Sequence, residues 1–240
     1  NMAKYYEGLI KNFPKASPAA LAEAHFLLGR AAFDQGDFQS SISHMSEAKT
    51  LDPQKYGEQV NVLTVLSYHK LQDVNKLKEA LETLQKENPA AVSRVPDVIP
   101  AWLGLQAYGM KDLETADKYM TWATQNDQLQ NVKKVIWRNL AKVRLALKKY
   151  DRALVASNNF LKVEDQPYRR ADGMLDKASI LLGLGKYADA RKTAEEALAL
   201  GVEGPLMASL KIVLGDISYA EKKFDEAAKH YGVTAELFVN

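Results

Sequence analysis

The sequence predicts an all-α fold, an α-solenoid of stacked antiparallel helix pairs. Three observations carry this. First, a turn phrase recurs along the 240 residues, and its apolar residue falls at Phe38, Val74, Leu113, Tyr150, Tyr187 and Phe224, with gaps of 36, 39, 37, 37 and 37. A fixed period of that size marks a stacked repeat array. Second, small and apolar residues on either side of each turn recur every three to four positions, as in Ala190, Ala194, Ala197 and Leu198, which is the helical period and not the alternation of strands. Third, Pro53, Pro89, Pro167, Gly201, Gly204 and Pro205 interrupt the chain between these stretches. Proline lacks the donor a helix interior needs and disfavours helix in the residue before it, so these positions bound helices.

Taken in order, residues 2–13 (MAKYYEGLIKNF, followed by Pro14) read as the second helix of a truncated repeat spanning 1–14. Approximate repeats follow at 19–53, 55–89, 97–128, 132–166, 170–203 and 205–240, forming a single array over 1–240. The second repeat is the least regular, with Val65 where a small residue is expected and Leu77 in place of the alanine after the turn. The array closes on Leu237, Phe238, Val239 and Asn240 with no polar capping helix. Arrays need polar caps, so the ends are expected to continue into further chain or to be covered by another subunit.

The middle of each first helix carries a small residue at Gly29, Gly104, Ala141, Ala178 or Gly215. Crossing helices approach closely only where side chains are small, so Gly104 is expected to face Ala116 and Gly215 to face Ala227. Larger neighbours such as Leu28, Leu103, Leu140 and Leu214 fill the rest of the core.

These features resemble the tetratricopeptide repeat family. The residues that carry the resemblance are Leu28-Gly29, Phe33, Gly36-Asp37-Phe38, Ala48 and Pro53, then Trp102, Gly104, Tyr108, Leu113, Ala116 and Ala123. Trp137, Leu140-Ala141, Tyr150 and Ala153, and Leu214-Gly215, Tyr219, Phe224 and Ala227, repeat the pattern. The spacing near 37 departs from the family's usual 34, and the extra residues are expected in connections such as Leu200–Pro205. The resemblance implies a right-handed superhelix whose first helices line a concave groove that takes a peptide. The stretch from Tyr6 through Phe13-Pro14 to Phe38 is similar to the repeats of bacterial envelope proteins, which implies a periplasmic or envelope-associated location, with the cytoplasm as the alternative.

Composition narrows the function. Thirty-two Lys and Arg against 30 Asp and Glu leave a net charge of +2, without the basic excess of a nucleic-acid binder. With no Cys, disulfides and thiolate metal sites are excluded. No apolar run reaches the 18 or more residues of a membrane span. Gly183-Leu184-Gly185-Lys186 has the order G-x-G-K, but Ile180 stands where a phosphate loop needs its first glycine and Tyr187 follows the lysine. Gly185 is better read as a helix end in the left-handed conformation. His25, His44, His69 and His230 have no zinc-ligand spacing. No catalytic residue, metal site or cofactor is expected.

What is left is a surface. Helical spacing, laid on the resemblance, places Phe26, Arg30 and Phe33 on the groove face of the first full repeat. Tyr108 follows, then Arg138 and Lys142, Asp172 and Asp176, and Asp216 and Tyr219. Two readings stand for these residues. Phe33, Tyr108 and Tyr219 are either ligand-facing or core, and Arg138 with Lys142 either meet a ligand or pair with Asp172 and Asp176. Asp176 falls where carboxylate-clamping members of the family carry asparagine, so that clamp is not expected. The leading function is a non-enzymatic scaffold binding a protein or peptide segment, and the alternatives are a structural oligomer stacking through its ends by way of Leu237 and Phe238, or a regulatory module of a larger protein.

Overall fold

A computed structural model describes residues 2–125 and 130–239, with side chains described for 2–125 and 132–235. Among the described residues there are helices and no strands. The chain forms two compact units, Asn1–Ile99 and Pro100–Asn240. The first holds α1 (Met2–Asn12), α2 (Pro18–Asp34), α3 (Phe38–Leu51), α4 (Pro53–Lys70), α5 (Val74–Glu87) and a 3-10 segment, Pro89–Arg94. The second holds α6 (Val98–Gly109), which opens at the boundary, then α7 (Leu113–Ala123), α8 (Gln130–Ala146), α9 (Tyr150–Val163), α10 (Pro167–Gly183), α11 (Tyr187–Leu198), α12 (Gly204–Ala220) and α13 (Phe224–Val239). The side chains of Leu237 and Phe238 lie outside the described residues.

The six turn residues read from the sequence are the first residues of α3, α5, α7, α9, α11 and α13. Each turn is built alike. The residue two positions earlier has a positive φ: Gly36 (81°), Gln72 (56°), Lys111 (62°), Lys148 (57°), Gly185 (72°) and Lys222 (64°). That left-handed residue closes the preceding helix. Its N–H bonds to the carbonyl three back and the next N–H to the carbonyl five back, as in Gly185 to Leu182 and Lys186 to Leu181, both 2.9 Å. This is a Schellman cap, which satisfies carbonyls the helix end would leave orphaned. The residue after it starts the next helix. Asp37, Asp73 and Asp112 accept from the N–H three residues on, at 3.0–3.2 Å, while Lys149 and Lys186 in the same place supply no side-chain cap. The G-x-G-K stretch is thus a helix end and a corner. Between pairs, Ser17 and Asp52 cap α2 and α4 ahead of Pro18 and Pro53, the first-turn position where proline's missing N–H is not needed.

Helix pairing corrects two expectations. Gly104 lies against Met120, where a Cβ would come within 2.7 Å of Cγ and 2.9 Å of the backbone nitrogen, and not against Ala116. Gly215 lies against the Tyr231 ring and not Ala227. Two antiparallel helices leave a turn at the same 1.5 Å per residue, so partners stand equally far from it. Gly104 and Met120 are each eight residues from Asp112, Gly215 and Tyr231 each eight from Lys223, and Gly29 and Met45 each eight from Asp37. Glycine here admits the partner's large side chain, while Ala116 and Ala227 are buried closer to the turn.

In the first unit Phe26, Met45, Ala48, Tyr56 and Val60 form the core, with the Phe26 and Tyr56 rings stacked at 4.7 Å. In the second unit one cluster joins α6 through α10 around Met120, Leu140 and Ile180, and another joins α10 through α12 around Leu181, Leu210 and Leu214. A buried ion pair ties α7, α8 and α9 together. Arg144 Nε donates to Asp117 at 2.8 Å, both side chains 8% exposed, and Lys149 Nζ donates to the other Asp117 oxygen at 3.0 Å. Lysine carries no acceptor for an N-cap, so the Lys149 side chain serves this contact instead.

Candidate interaction face

In the second unit the first helices α8, α10 and α12 pack side by side. Side chains three or four apart on each helix share a face. On α8 that face carries Val135, Arg138 and Lys142, on α10 Asp172 and Asp176, and on α12 Ile212, Asp216 and Tyr219.

The charges form a ladder between neighbouring helices. The Arg138 guanidinium donates to the Asp172 carboxylate. Lys142 Nζ approaches Asp176 Oδ2 at 3.9 Å, beyond hydrogen-bond reach. Among the described residues no donor reaches that oxygen, and Arg138 Nε is likewise buried without a partner. The Asp176 side chain is 14% exposed. Burial pushes its carboxyl up to about 6, against the pull of Lys142 and Arg138. Of the two readings left open by the sequence, the pairing of Arg138 with Asp172 and Lys142 with Asp176 is what forms.

Farther along the face, the Asp216 carboxylate accepts from the Tyr231 hydroxyl at 2.7 Å. Partial burial and that bond push the Tyr231 hydroxyl up to about 12. Tyr219 is 61% exposed and meets Phe224, 57% exposed, edge to face at 5.3 Å. Two aromatic rings in water at a helix corner contribute little to a core.

The remaining expected residues are distributed differently. Phe26 is 9% exposed beneath its stack with Tyr56, so it serves the core. Phe33 is half-buried and edge to face with Phe38 at 5.4 Å. Tyr108 is half-buried against the α6–α10 cluster. Arg30 is exposed.

Sequence reasoning missed a cleft of about 330 Å³ beside the ladder, lined by Lys134, Arg138, Lys142, Phe160, Glu164 and Arg169 among others. Lys134 stands one helical turn before Arg138 and was legible from spacing. Arg169 reaches the cleft from α10 and Glu164 from the end of α9, and no local pattern brings these together. Glu164 Oε1 accepts from the N–H groups of Asp165 and Gln166 at 3.0 Å and also stands 4.0 Å from Lys134 Nζ, which lies 3.7 Å from Asp165. Four basic side chains line the cleft against one carboxylate. Among the described residues no group of three or more His, Asp or Glu could hold a metal. His25 and His44 meet in the first unit, Nδ1 to Nδ1, at 3.0 Å. Among the described residues no helix is long and apolar enough to cross a membrane.

A stack of helix pairs joined by Schellman corners, exposing mixed apolar and charged groups along its first helices, defines a helical-repeat scaffold. Residues 22–55 and 175–234 each match a tetratricopeptide repeat family. These two stretches are tetratricopeptide repeats, a family that generally serves as non-enzymatic scaffolds for protein–protein interaction. No curated protein matches it. Among solved structures it is similar to one of Naa15/Naa10 bound to HypK-THB, at 16% identity and a TM-score of 0.60, covering 98% of this chain and 34% of that one. It is also similar to MamA MSR-1 C2, at 15% identity and a TM-score of 0.53, covering 75% and 95%. Pseudomonas aeruginosa pilF aligns at 18% identity and a TM-score of 0.44 over 87% and 88%. At these identities the likeness is one of fold.

Proposed function

We propose that the protein is a non-enzymatic scaffold whose α8–α10–α12 face receives a peptide or protein segment, lying in the groove that the family's first helices line. The observation that carries this is the Tyr219–Phe224 pair, two aromatic side chains more than half exposed at one end of a face that also presents Val135 and Ile212 to solvent, 50% and 39% exposed. Tyrosine and phenylalanine are enriched where interfaces bury them and form the anchors that dominate binding energy. The charged ladder beside them supplies register through complementary charge. Within this reading Arg138, Lys142, Asp172, Asp176, Asp216 and Tyr219 are contact residues, Arg30, Phe33 and Tyr108 belong to the corresponding faces of α2 and α6, and Phe26 supports α2 from below. An envelope location is part of the proposal and rests on the residues from Tyr6 to Phe38 alone.

The test is the double charge reversal Arg138→Glu with Lys142→Glu, checked for retained helicity by circular dichroism. The segment-binding reading expects association with a partner identified in the native cell to weaken at least tenfold. Unchanged association, with the helix content intact, removes the ladder from the contact surface.

A further inference from the structure

The cleft beside the ladder has a chemistry of its own. Lys134, Arg138, Lys142 and Arg169 converge on it from two helices, and its one lining carboxylate, Glu164, accepts from backbone N–H groups and faces Lys134 at 4.0 Å. Of the four cations, Arg138 is held by Asp172, and Lys134 is paired with Glu164 at 4.0 Å and Asp165 at 3.7 Å. Lys142 is held only loosely, 3.9 Å from an Asp176 oxygen that accepts no hydrogen bond. Asp176 is thus an internal carboxylate placed against the very cation that an incoming carboxylate would use. While ionised, it both occupies Lys142 and repels a second negative charge. Once neutral, it frees Lys142 and leaves the cleft more positive by one charge.

We propose that this cleft is an acid-gated receptor for a carboxylate-rich segment of a partner protein, with Asp176 as the internal competitor that must be neutralised before the segment can engage Lys142. This rests on the proposed segment-binding face and names the chemistry of what it binds. The proton comes from solvent and no bond other than that O–H is made. Among the described residues, the charges acting on Asp176 are Lys142 and then Arg138, both on α8, and α9, α11 and α12, also packed on α10, add none. Burial lifts the carboxyl into the window where the gate would work, near 6.

The experiment uses the whole chain and a fluorophore-labelled, end-blocked hexa-aspartate peptide, with anisotropy read at constant ionic strength at pH 5.5 and 7.5. Aspartate side chains titrate near ~3.9 in the free peptide, so the probe is ionised at both values. If only the protonated protein binds, apparent affinity scales with the protonated fraction, and binding is roughly twenty-fold tighter at pH 5.5. Asp176→Asn is expected to bind at pH 7.5 about as the unaltered protein does at pH 5.5, with the pH dependence largely gone. Lys142→Gln is expected to weaken binding at pH 5.5, and it keeps the test open should Asp176→Asn fold poorly. Equal affinity at the two pH values, an undiminished pH dependence in Asp176→Asn, or absence of binding by both proteins overturns the proposal. Position-specific crosslinking of the face to a partner at neutral pH is independent of this gate, so the two readings fail separately.

Discussion

Lys142 Nζ and Asp176 Oδ2 stand 3.9 Å apart, close enough to attract and too far to bond. Removing a carboxylate from water costs several kcal/mol unless hydrogen bonds replace the lost hydration, and none reaches this oxygen. The folded carboxyl therefore titrates near 6 instead of 3.8. With a folded pKa above the unfolded one, the native state binds the extra proton between those values. The burden of the charge is present above about 6 and relieved as pH falls through it. Asp176→Asn is expected to raise unfolding free energy at pH 7.5 by about 1–3 kcal/mol, with the gain shrinking toward pH 4 in urea titrations.

Asp117 behaves in the opposite way. Burial alone would raise its carboxyl, but the hydrogen bonds from Arg144 and Lys149 outweigh burial and hold it below the usual range. Its contribution is present above pH 3.8 and is lost as pH falls through the lower folded value. Asp117→Ala strands Arg144 with its charge in the interior, and breaking such a pair costs about 3–5 kcal/mol. A melting midpoint at pH 7 within a degree of the unaltered protein would contradict this.

The His25 imidazole is held below its ordinary value, first by burial and then by His44, with Glu47 opposing. Here the unfolded chain takes up protons first, so stability is full above pH 6.5 and falls as pH drops through the folded value. His25→Asn is expected to flatten the decline between pH 7 and 5. An unchanged slope in chemical denaturation would show that other groups carry it.

Gly104 has Met120 Cγ 2.7 Å and Met120 N 2.9 Å from the place of a Cβ. The nitrogen belongs to helix backbone and cannot step aside as a side-chain tip can. Gly104→Ala should destabilise by about 1–3 kcal/mol, although alanine is by propensity the better helix former by roughly 1 kcal/mol. Thermal melting decides the sign.

Four of the six Schellman corners place a side chain in the left-handed region, and Lys148 at φ 57° is exposed. Lys148→Gly removes that strain, for a gain of about 0.5–1 kcal/mol once the entropy of glycine is counted. Lys186→Asp restores to α11 the cap that Asp37, Asp73 and Asp112 provide elsewhere, worth about 1 kcal/mol. The two changes lie in different corners and should add in a melting experiment.

The corners were legible because their chemistry is local. A left-handed residue followed by a capping residue leaves a mark even when glycine is replaced, since Lys148 and Lys222 keep the phase of Gly185. The Arg138–Asp172 and Lys142–Asp176 rungs were legible as one of two readings, because residues three or four apart share a helix face. Glycine partners were misread, because Met120 and Tyr231 are fixed by equal distance from the turn, a rule about pairs of helices and not about small residues meeting. Phe26 was placed on the surface because spacing gives a face, while whether that face is covered depends on Tyr56, which is 30 residues away. The cleft's Arg169 and Glu164 come from the approach to a different helix and had no signal in the sequence.

The segment-binding face is tested most directly by position-specific photocrosslinking in the native cell. A photoreactive side chain is placed at Arg138, Ile212 or Tyr219 on the first-helix face, and, for contrast, at Lys192 or Glu196, exposed on α11. One shared partner band is expected from the first three positions and none from α11. The same band from α11, with silence from Arg138, Ile212 and Tyr219, would contradict it.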